Sequence, residues 1–296
     1  MYLIFDIGGT HSKYALMDGK TEILEKGKFD TVRTNREDFV KSLENIVEKY
    51  KDQISGIGLS MPGFIDSEKG FMVNGGSLSY IKNWPIVDEL SKRFGKKVTV
   101  ENDARCAALA EYWQGNLKEY KNSVTLVLGT GIGGAIMIDG KIYRGSDLVA
   151  GEFSFILTNI MASRKVENSM CAIASVPKMV EKVAERLNLS KEKATGEYVY
   201  SLAENGDEIA LGEIRSYLSI IAFLIYNLNL VLNSEIFAIG GGISRQDLTH
   251  TILREELEKI YDSMGLDLKI PKVTNCKFYN DANLIGALYK LSLIHI

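Results

Sequence analysis

The chain has 296 residues, 46% of them hydrophobic and 25% charged, with a formal net charge of −3. That length holds one large domain or two lobes, and the mild acidity argues against a broad nucleic-acid or membrane surface. Three cysteines, Cys106, Cys171 and Cys276, lie far apart without metal-ligand spacing, which fits reduced thiols in a cytoplasm better than a disulfide framework.

Asp6 interrupts the first apolar run and no basic leader precedes it, so no secretory signal is expected. "MYLIFDIG" and "KYALM" read as paired strands, with a third strand over residues 23–29. Between the first two lie Gly8, Gly9 and Thr10, just after Asp6. Bare backbone N–H groups beside a hydroxyl and a carboxylate suit a phosphate cradle; an ordinary Gly-Gly turn is the plain alternative. Lys13 reads as a phosphate partner or as an exposed strand residue. His11, His250 and His295 stand apart from the cysteines and from each other, and read as surface or turn residues.

Residues 35–50 put Phe39, Leu43, Ile46 and Val47 on one helical face. "ISGIGLSM" is a buried strand stopped by Pro62-Gly63, and a helix over residues 87–94 leads to the strand "KVTVEN". An Ala-rich helix follows at once. Asn102 and Asp103 stand where an N-cap belongs, and Asp103 also ends a strand where a carboxylate can take a proton from a hydroxyl. One residue can cap while the other works.

The second half restarts at "SVTLVLGTGIGGAIMIDGK", which shares strand, glycine turn, strand and closing Asp-Gly-Lys with the opening. Such a repeat, about 120 residues on, suggests two related lobes across a cleft where ligands bind. The expected lobes are residues 1–116 with 281–296, and residues 117–280. Gly129, Thr130 and Gly131 would meet a polyphosphate from the second turn. Neither turn is a Walker loop, and "GTGIGG" runs into a strand pattern, whereas a dinucleotide fingerprint opens a helix. Glu152, flanked by glycine, is a surface-turn carboxylate or a ligand group. The apolar run 217–232 is shorter than a bilayer requires and holds Asn227 and Asn229, so it reads as a core helix. Gly240, Gly241 and Gly242 end a strand, either as a tight turn or to let a flat ring approach the backbone.

"DIGGT", "SMPGFID", "ENDA", "GTGIGG", "GE", "GGGI" and "NLIGAL" occur in this order along nearly the whole chain. Together they resemble the ROK family (repressors, open reading frames, kinases), of the ribonuclease-H-like superfamily that holds actin, hexokinase and the heat-shock ATPases. The resemblance implies a two-lobed α/β fold with a central cleft. It implies an ATP-dependent kinase that phosphorylates a hexose or β-glucoside, foremost at the 6-hydroxyl, with Asp103 as general base.

On the same resemblance Asp6 holds Mg²⁺ through water, and Gly8, Gly9, Thr10, Lys13, Gly129, Thr130 and Gly131 grip the phosphates of ATP. Gly240, Gly241, Gly242 and Gly286 flank the adenosine. Asn102 and Glu152 hydrogen-bond sugar hydroxyls, and Gly63 and Gly76 line the pocket floor. A homodimer is implied, with no membrane or nucleic-acid partner. The repressor branch is not expected, because only five residues precede Asp6 and a helix-turn-helix needs more.

The departures are specific. Many members carry a histidine where this chain has Phe155, and a cysteine-rich zinc loop where it has only Cys171, so no structural zinc is expected. An aromatic at 155 implies an anomeric environment that accepts an additional group. The zinc-free pattern looks most similar to the β-glucoside kinases, with glucokinase and N-acetylmannosamine kinase as alternatives. A non-catalytic sugar-binding regulator is the alternative from another class.

Overall fold

The apolar residues Leu3, Ile4 and Phe5 form β1 (Tyr2–Ile7), which turns back on itself as β2 (His11–Met17) and then β3 (Ile23–Asp30). The computed structural model describes residues 1–158, 166–190, 192–265 and 267–293. Two units emerge: Met1–Lys118 with Arg144–Val149 and Asn280–Ile296, and Glu119–Tyr143 with Ala150–Tyr279.

In the first unit, α1 (Arg36–Tyr50) starts where the Asn35 side chain accepts the Asp38 N–H, with Glu37 and Asp38 favouring the positive end of the helix dipole. Its buried face is Phe39, Val40, Leu43, Val47 and Tyr50. β4 (Gly56–Met61) follows, then a small sheet of β5 (Ile65–Asp66), β6 (Phe71–Asn74) and β7 (Lys82–Trp84). Then come α2 (Ile86–Phe94), β8 (Lys97–Asn102) and α3 (Asp103–Gln114). The five-stranded sheet has the order β3-β2-β1-β4-β8. Its first two pairings are antiparallel and its last two parallel. Phe5, Ile57 and Leu59 bury against Phe39, Leu43 and Trp84 in one cluster, each side chain contributing about 1.5–3 kcal/mol.

The second unit repeats this plan. β9 (Ser123–Leu128), β10 (Ile132–Ile138) and β11 (Lys141–Tyr143) precede the helices α4 (Met170–Ile173), α5 (Val176–Leu187), α6 (Gly196–Glu204) and α7 (Glu208–Leu232). β12 (Ile236–Gly241), α8 (Asp247–Met264) and β13 (Lys272–Asn275) complete it. The order is β11-β10-β9-β12-β13, again with two antiparallel then two parallel pairings. The repeat read from the two glycine hairpins thus extends to the whole sheet.

The apolar run at 217–232 belongs to a longer helix than its pattern gave, because α7 begins at Glu208 and has 25 residues. Among the described residues it is the one helix long and apolar enough to cross a membrane, and half of its apolar window is buried inside the protein. Tyr217, Leu218, Ile221 and Ile225 pack with Val124, Leu126 and Phe237, which is the packing of a core helix. The final helix, α9 (Ala282–Ser292), follows β13 in the chain but belongs to the first unit, where Tyr289 stacks on Trp113 of α3 at 5.2 Å.

Candidate functional site

Three parallel strands of the first unit end in one row. Asp6 of β1 is the register partner of Ser60 on β4, and Ser60 is the partner of Glu101 on β8. Side chains at the carboxyl ends of parallel strands are where α/β sheets place ligands. The Asp6 Oδ1 accepts from the Ser60 hydroxyl at 3.1 Å and the Asn283 amide at 3.0 Å. Its Oδ2 lies 3.8 Å from the Lys13 ammonium, beyond a hydrogen bond. Burial raises the Asp6 pKa above its ordinary value, opposed by Asn283, Lys13 and Ser60.

The β1–β2 turn is held from the side. Thr31 donates its hydroxyl to the Gly8 carbonyl at 2.8 Å, and the Thr31 N–H reaches the Thr10 carbonyl. A Cβ on Gly8 would come within 2.5 Å of the His11 carbonyl oxygen, and one on Gly9 would meet the Ser77 hydroxyl at 3.0 Å. Thr10 is exposed at the tip, and Lys13 is 45% exposed with its ammonium on the Asn280 carbonyl. Thr31 and Ser77 carry no motif of their own, and only the fold brings them to the turn.

At the end of β8, Asn102 is the N-cap of α3. Its Oδ1 accepts the Arg105 N–H at 3.2 Å, and its Nδ2 donates to the Gly63 carbonyl at 3.2 Å. The Asn102 side chain also hydrogen-bonds the Asp103 carboxyl, which favours its ionised form. Asp103 opens the helix, and its Oδ1 accepts the N–H of Ala104 at 2.8 Å. Burial pushes the Asp103 carboxyl up to about 6, with the charge of Asp6 adding to it and the Ala104 N–H opposing. A carboxylate titrating near 6 is ionised at neutral pH yet basic enough to accept a hydroxyl proton.

Gly63 and Gly76 meet backbone to backbone. A Cβ on Gly63, whose φ is +103°, would fall 2.6 Å from the Gly76 nitrogen. Asn74 ties them: its Oδ1 accepts the Gly76 N–H at 3.0 Å and the Phe64 N–H at 3.4 Å. Asn74 carries no motif either.

In the second unit, the β9–β10 turn holds Gly129, exposed Thr130 and Gly131. Ser154 accepts the Ile132 N–H at 2.9 Å, and a Cβ on Gly131 would strike its hydroxyl. The Phe153 ring lies where a Cβ on Gly134 would be, which accounts for that glycine by packing. Glu152, partly buried, precedes the short helical turn Phe153–Phe155, and Phe155 is 59% exposed.

The Val176 N–H, at the start of α5, donates to the Gly129 carbonyl at 2.9 Å. Gly196, at the start of α6, stands beside both Val176 and Ile243, the residue after Gly240, Gly241 and Gly242. A cavity of about 780 Å³ opens there, lined by Val176, Pro177, Val180, Ala184, Leu189 and Gly196 among others. The residues around it were silent in the sequence, because α5 and α6 have ordinary amphipathic patterns.

Gly286, expected beside adenosine, has a packing reason of its own to be glycine. It is buried within α9, and a Cβ there would fall 1.8 Å from the Cys106 carbonyl oxygen of α3. The glycine serves the α3–α9 crossing. Cys171 is partly buried beside Ser169, and part of the region compared with the zinc loop, residues 159–165, lies outside the described residues. Among the described residues no group of three His, Cys, Asp or Glu side chains converges as a metal cage. Mg²⁺ needs no such cage, since one or two carboxylates with waters and phosphates suffice. Asp6 fits that role, a mostly buried carboxylate with Oδ2 outside any hydrogen bond among the described residues.

Paired sheets of this topology, each with a glycine hairpin, give the actin/hexokinase-like fold, and the sugar kinases the chain is similar to make it an ATP-dependent carbohydrate kinase. The pattern of the ROK family matches residues 2–292, and the chain belongs to that family. It is 29% identical to a β-glucoside kinase of Klebsiella pneumoniae over 98% of this chain and 96% of that protein. It is 30% identical to a glucokinase of Halalkalibacterium halodurans, over 96% and 93% of the two chains. A solved ROK family protein of Streptococcus pneumoniae TIGR4, in complex with sucrose, superposes with a TM-score of 0.87 at 29% identity, covering 99% of each chain.

Proposed function

We propose that the protein transfers the γ-phosphoryl group of ATP to the 6-hydroxyl of the non-reducing glucose of a β-glucoside. The observation that carries the reading is the placement of Asp103, which opens α3 directly after β8 with its Oδ1 on the Ala104 N–H, and burial there holds its carboxyl up at about 6. Asp103 takes the hydroxyl proton as the sugar oxygen bonds to the γ-phosphorus and the bond to ADP breaks. Phosphoryl transfer asks for alignment and charge neutralisation more than covalent help. Backbone N–H groups of the turns at Gly8 and Gly9 and at Gly131 supply part of this, with Thr10, Thr130 and Lys13, while the Gly129 N–H braces its own turn on the Gly131 carbonyl. Mg²⁺, held through water by Asp6, would neutralise charge on the phosphates. Asn102 and Glu152 read the sugar hydroxyls over a floor of Gly63 and Gly76. The adenosine lies along Gly240, Gly241 and Gly242, with adenine in the cavity between α5 and α6.

Similarity to a β-glucoside kinase, the sucrose held by a relative and the exposed Phe155 ring support a substrate with a second group on the glucose. Glucose itself is the second reading, supported by the glucokinase relative. The test is ATP consumption with cellobiose, gentiobiose, glucose and N-acetylmannosamine. The two disaccharides should give the highest kcat/KM. Preference for a monosaccharide overturns the β-glucoside assignment, and no consumption with any of them overturns the kinase reading. A homodimer belongs to the same reading, and light scattering of the purified chain decides it.

A further inference from the structure

Glu101 is fully buried one residue before Asn102, and the reaction as described gives it no task. Its Oε1 accepts the Asn102 N–H at 2.8 Å and lies 3.9 Å from the Arg105 guanidinium. Its Oε2 accepts the Ser67 hydroxyl at 2.8 Å and Arg144 Nη2 at 2.6 Å. Arg144 follows β11, 43 residues along the chain. Arg105, 2% exposed, then reaches past Glu101: Nη1 donates to the Ile65 carbonyl at 3.3 Å and Nη2 to the Leu148 carbonyl at 2.6 Å. Leu148 has a φ of +65°, a left-handed conformation that a leucine seldom adopts without being held.

The segment Arg144–Val149 is therefore fastened at both ends to the strand and helix that present Asp103, by Arg144 on Glu101 and by Arg105 on Leu148. Four residues after Leu148 comes Glu152. We propose that Arg105 is a positioning residue: its guanidinium sets the backbone leading to Glu152 against the first turn of the helix that carries Asp103. Sugar binding then depends on one buried cation that touches neither the sugar nor the base. A buried guanidinium suits this because its planar fork serves two carbonyls in fixed directions and stays charged at any working pH. The inference rests on the reading of Glu152 as a sugar-binding carboxylate.

The test is steady-state kinetics of full-length Arg105→Met with the preferred sugar. The expected result is a sugar KM raised at least tenfold, an ATP KM within twofold of wild type, and an unmoved acid limb of the pH profile. A purely structural role would lower the active fraction and leave both KM values alone, and that result overturns the proposal. Should Arg105→Met fail to fold, Arg144→Gln replaces it, since Arg144 is 18% exposed and anchors the other end of the segment. A several-fold rise in sugar KM is expected there, and an unchanged KM overturns the proposal. Glu152→Gln separates the two readings. If it leaves the sugar KM unchanged, the role of Glu152 falls; if it raises KM while Arg105→Met does not, only the positioning role falls.

Discussion

The negative charge of Asp6, on β1, adds to the burial that holds the carboxyl of Asp103, at the β8–α3 junction, up at about 6. Asp6 is itself raised, chiefly by burial. Two carboxylates, one on a strand and one opening a helix, each disfavoured as an anion, form an electrostatic demand for a cation that a metal–nucleotide complex would meet.

The first consequence is a pH profile. Asp103 accepts a proton only when ionised, so kcat/KM for the sugar should fall about tenfold per unit below a limb near pH 6. Asp6→Asn removes a charge that raises this pKa, so the limb of the residual activity should move to lower pH. A limb that stays in place, or an activity flat down to pH 4.5, contradicts the assignment of Asp103 as base.

Asp103→Asn should lower kcat by about two to four orders of magnitude while sugar affinity changes little. It should also stabilise the protein. The native carboxyl keeps its proton to about 6 against an ordinary value of 3.8, so the native state binds more protons in that window and stability falls as pH rises through it. Asparagine carries no such penalty, and its oxygen can still accept the Ala104 N–H. A gain of about 1–3 kcal/mol in denaturant unfolding is expected at pH 7.5, shrinking towards nothing near pH 4. Equal stability of the two proteins at pH 7.5 would mean the carboxylate is better solvated than its surroundings indicate.

The sequence made the glycine turns legible because a hairpin is local: strand, turn and strand lie within twenty residues of one another. The Asn102–Asp103 cap was legible for the same reason. What was not legible depends on distant contacts. Arg144 is an unremarkable arginine until the fold sets it on Glu101, and Thr31 and Ser77 join the β1–β2 turn only through tertiary packing. Gly286 shows the converse: its motif "NLIGAL" travels with the others, yet what requires the glycine is a helix crossing.

Gly286→Ala tests that last point. The added methyl would stand 1.8 Å from the Cys106 carbonyl oxygen, so α3 and α9 must part. A loss of about 1–3 kcal/mol or more is expected from overpacking. The folded fraction should keep its ATP KM. A variant of normal stability with a raised ATP KM would tie the glycine to the nucleotide instead.

The cavity between α5 and α6 gives the sharpest test of where the base of the nucleotide binds. Val176 links it to the β9–β10 turn through the Gly129 carbonyl, and Gly196 links it to Ile243 beside the glycine cluster at 240–242. Ala184 is partly buried on its wall, so Ala184→Trp should fill much of the space. The expected result is an ATP KM raised about tenfold or more, the value of roughly 1.4 kcal/mol of lost binding, with the sugar KM within twofold of wild type. Were the two KM values to rise together, or ATP to bind as tightly as before, adenine would have to lie elsewhere along Gly240, Gly241 and Gly242.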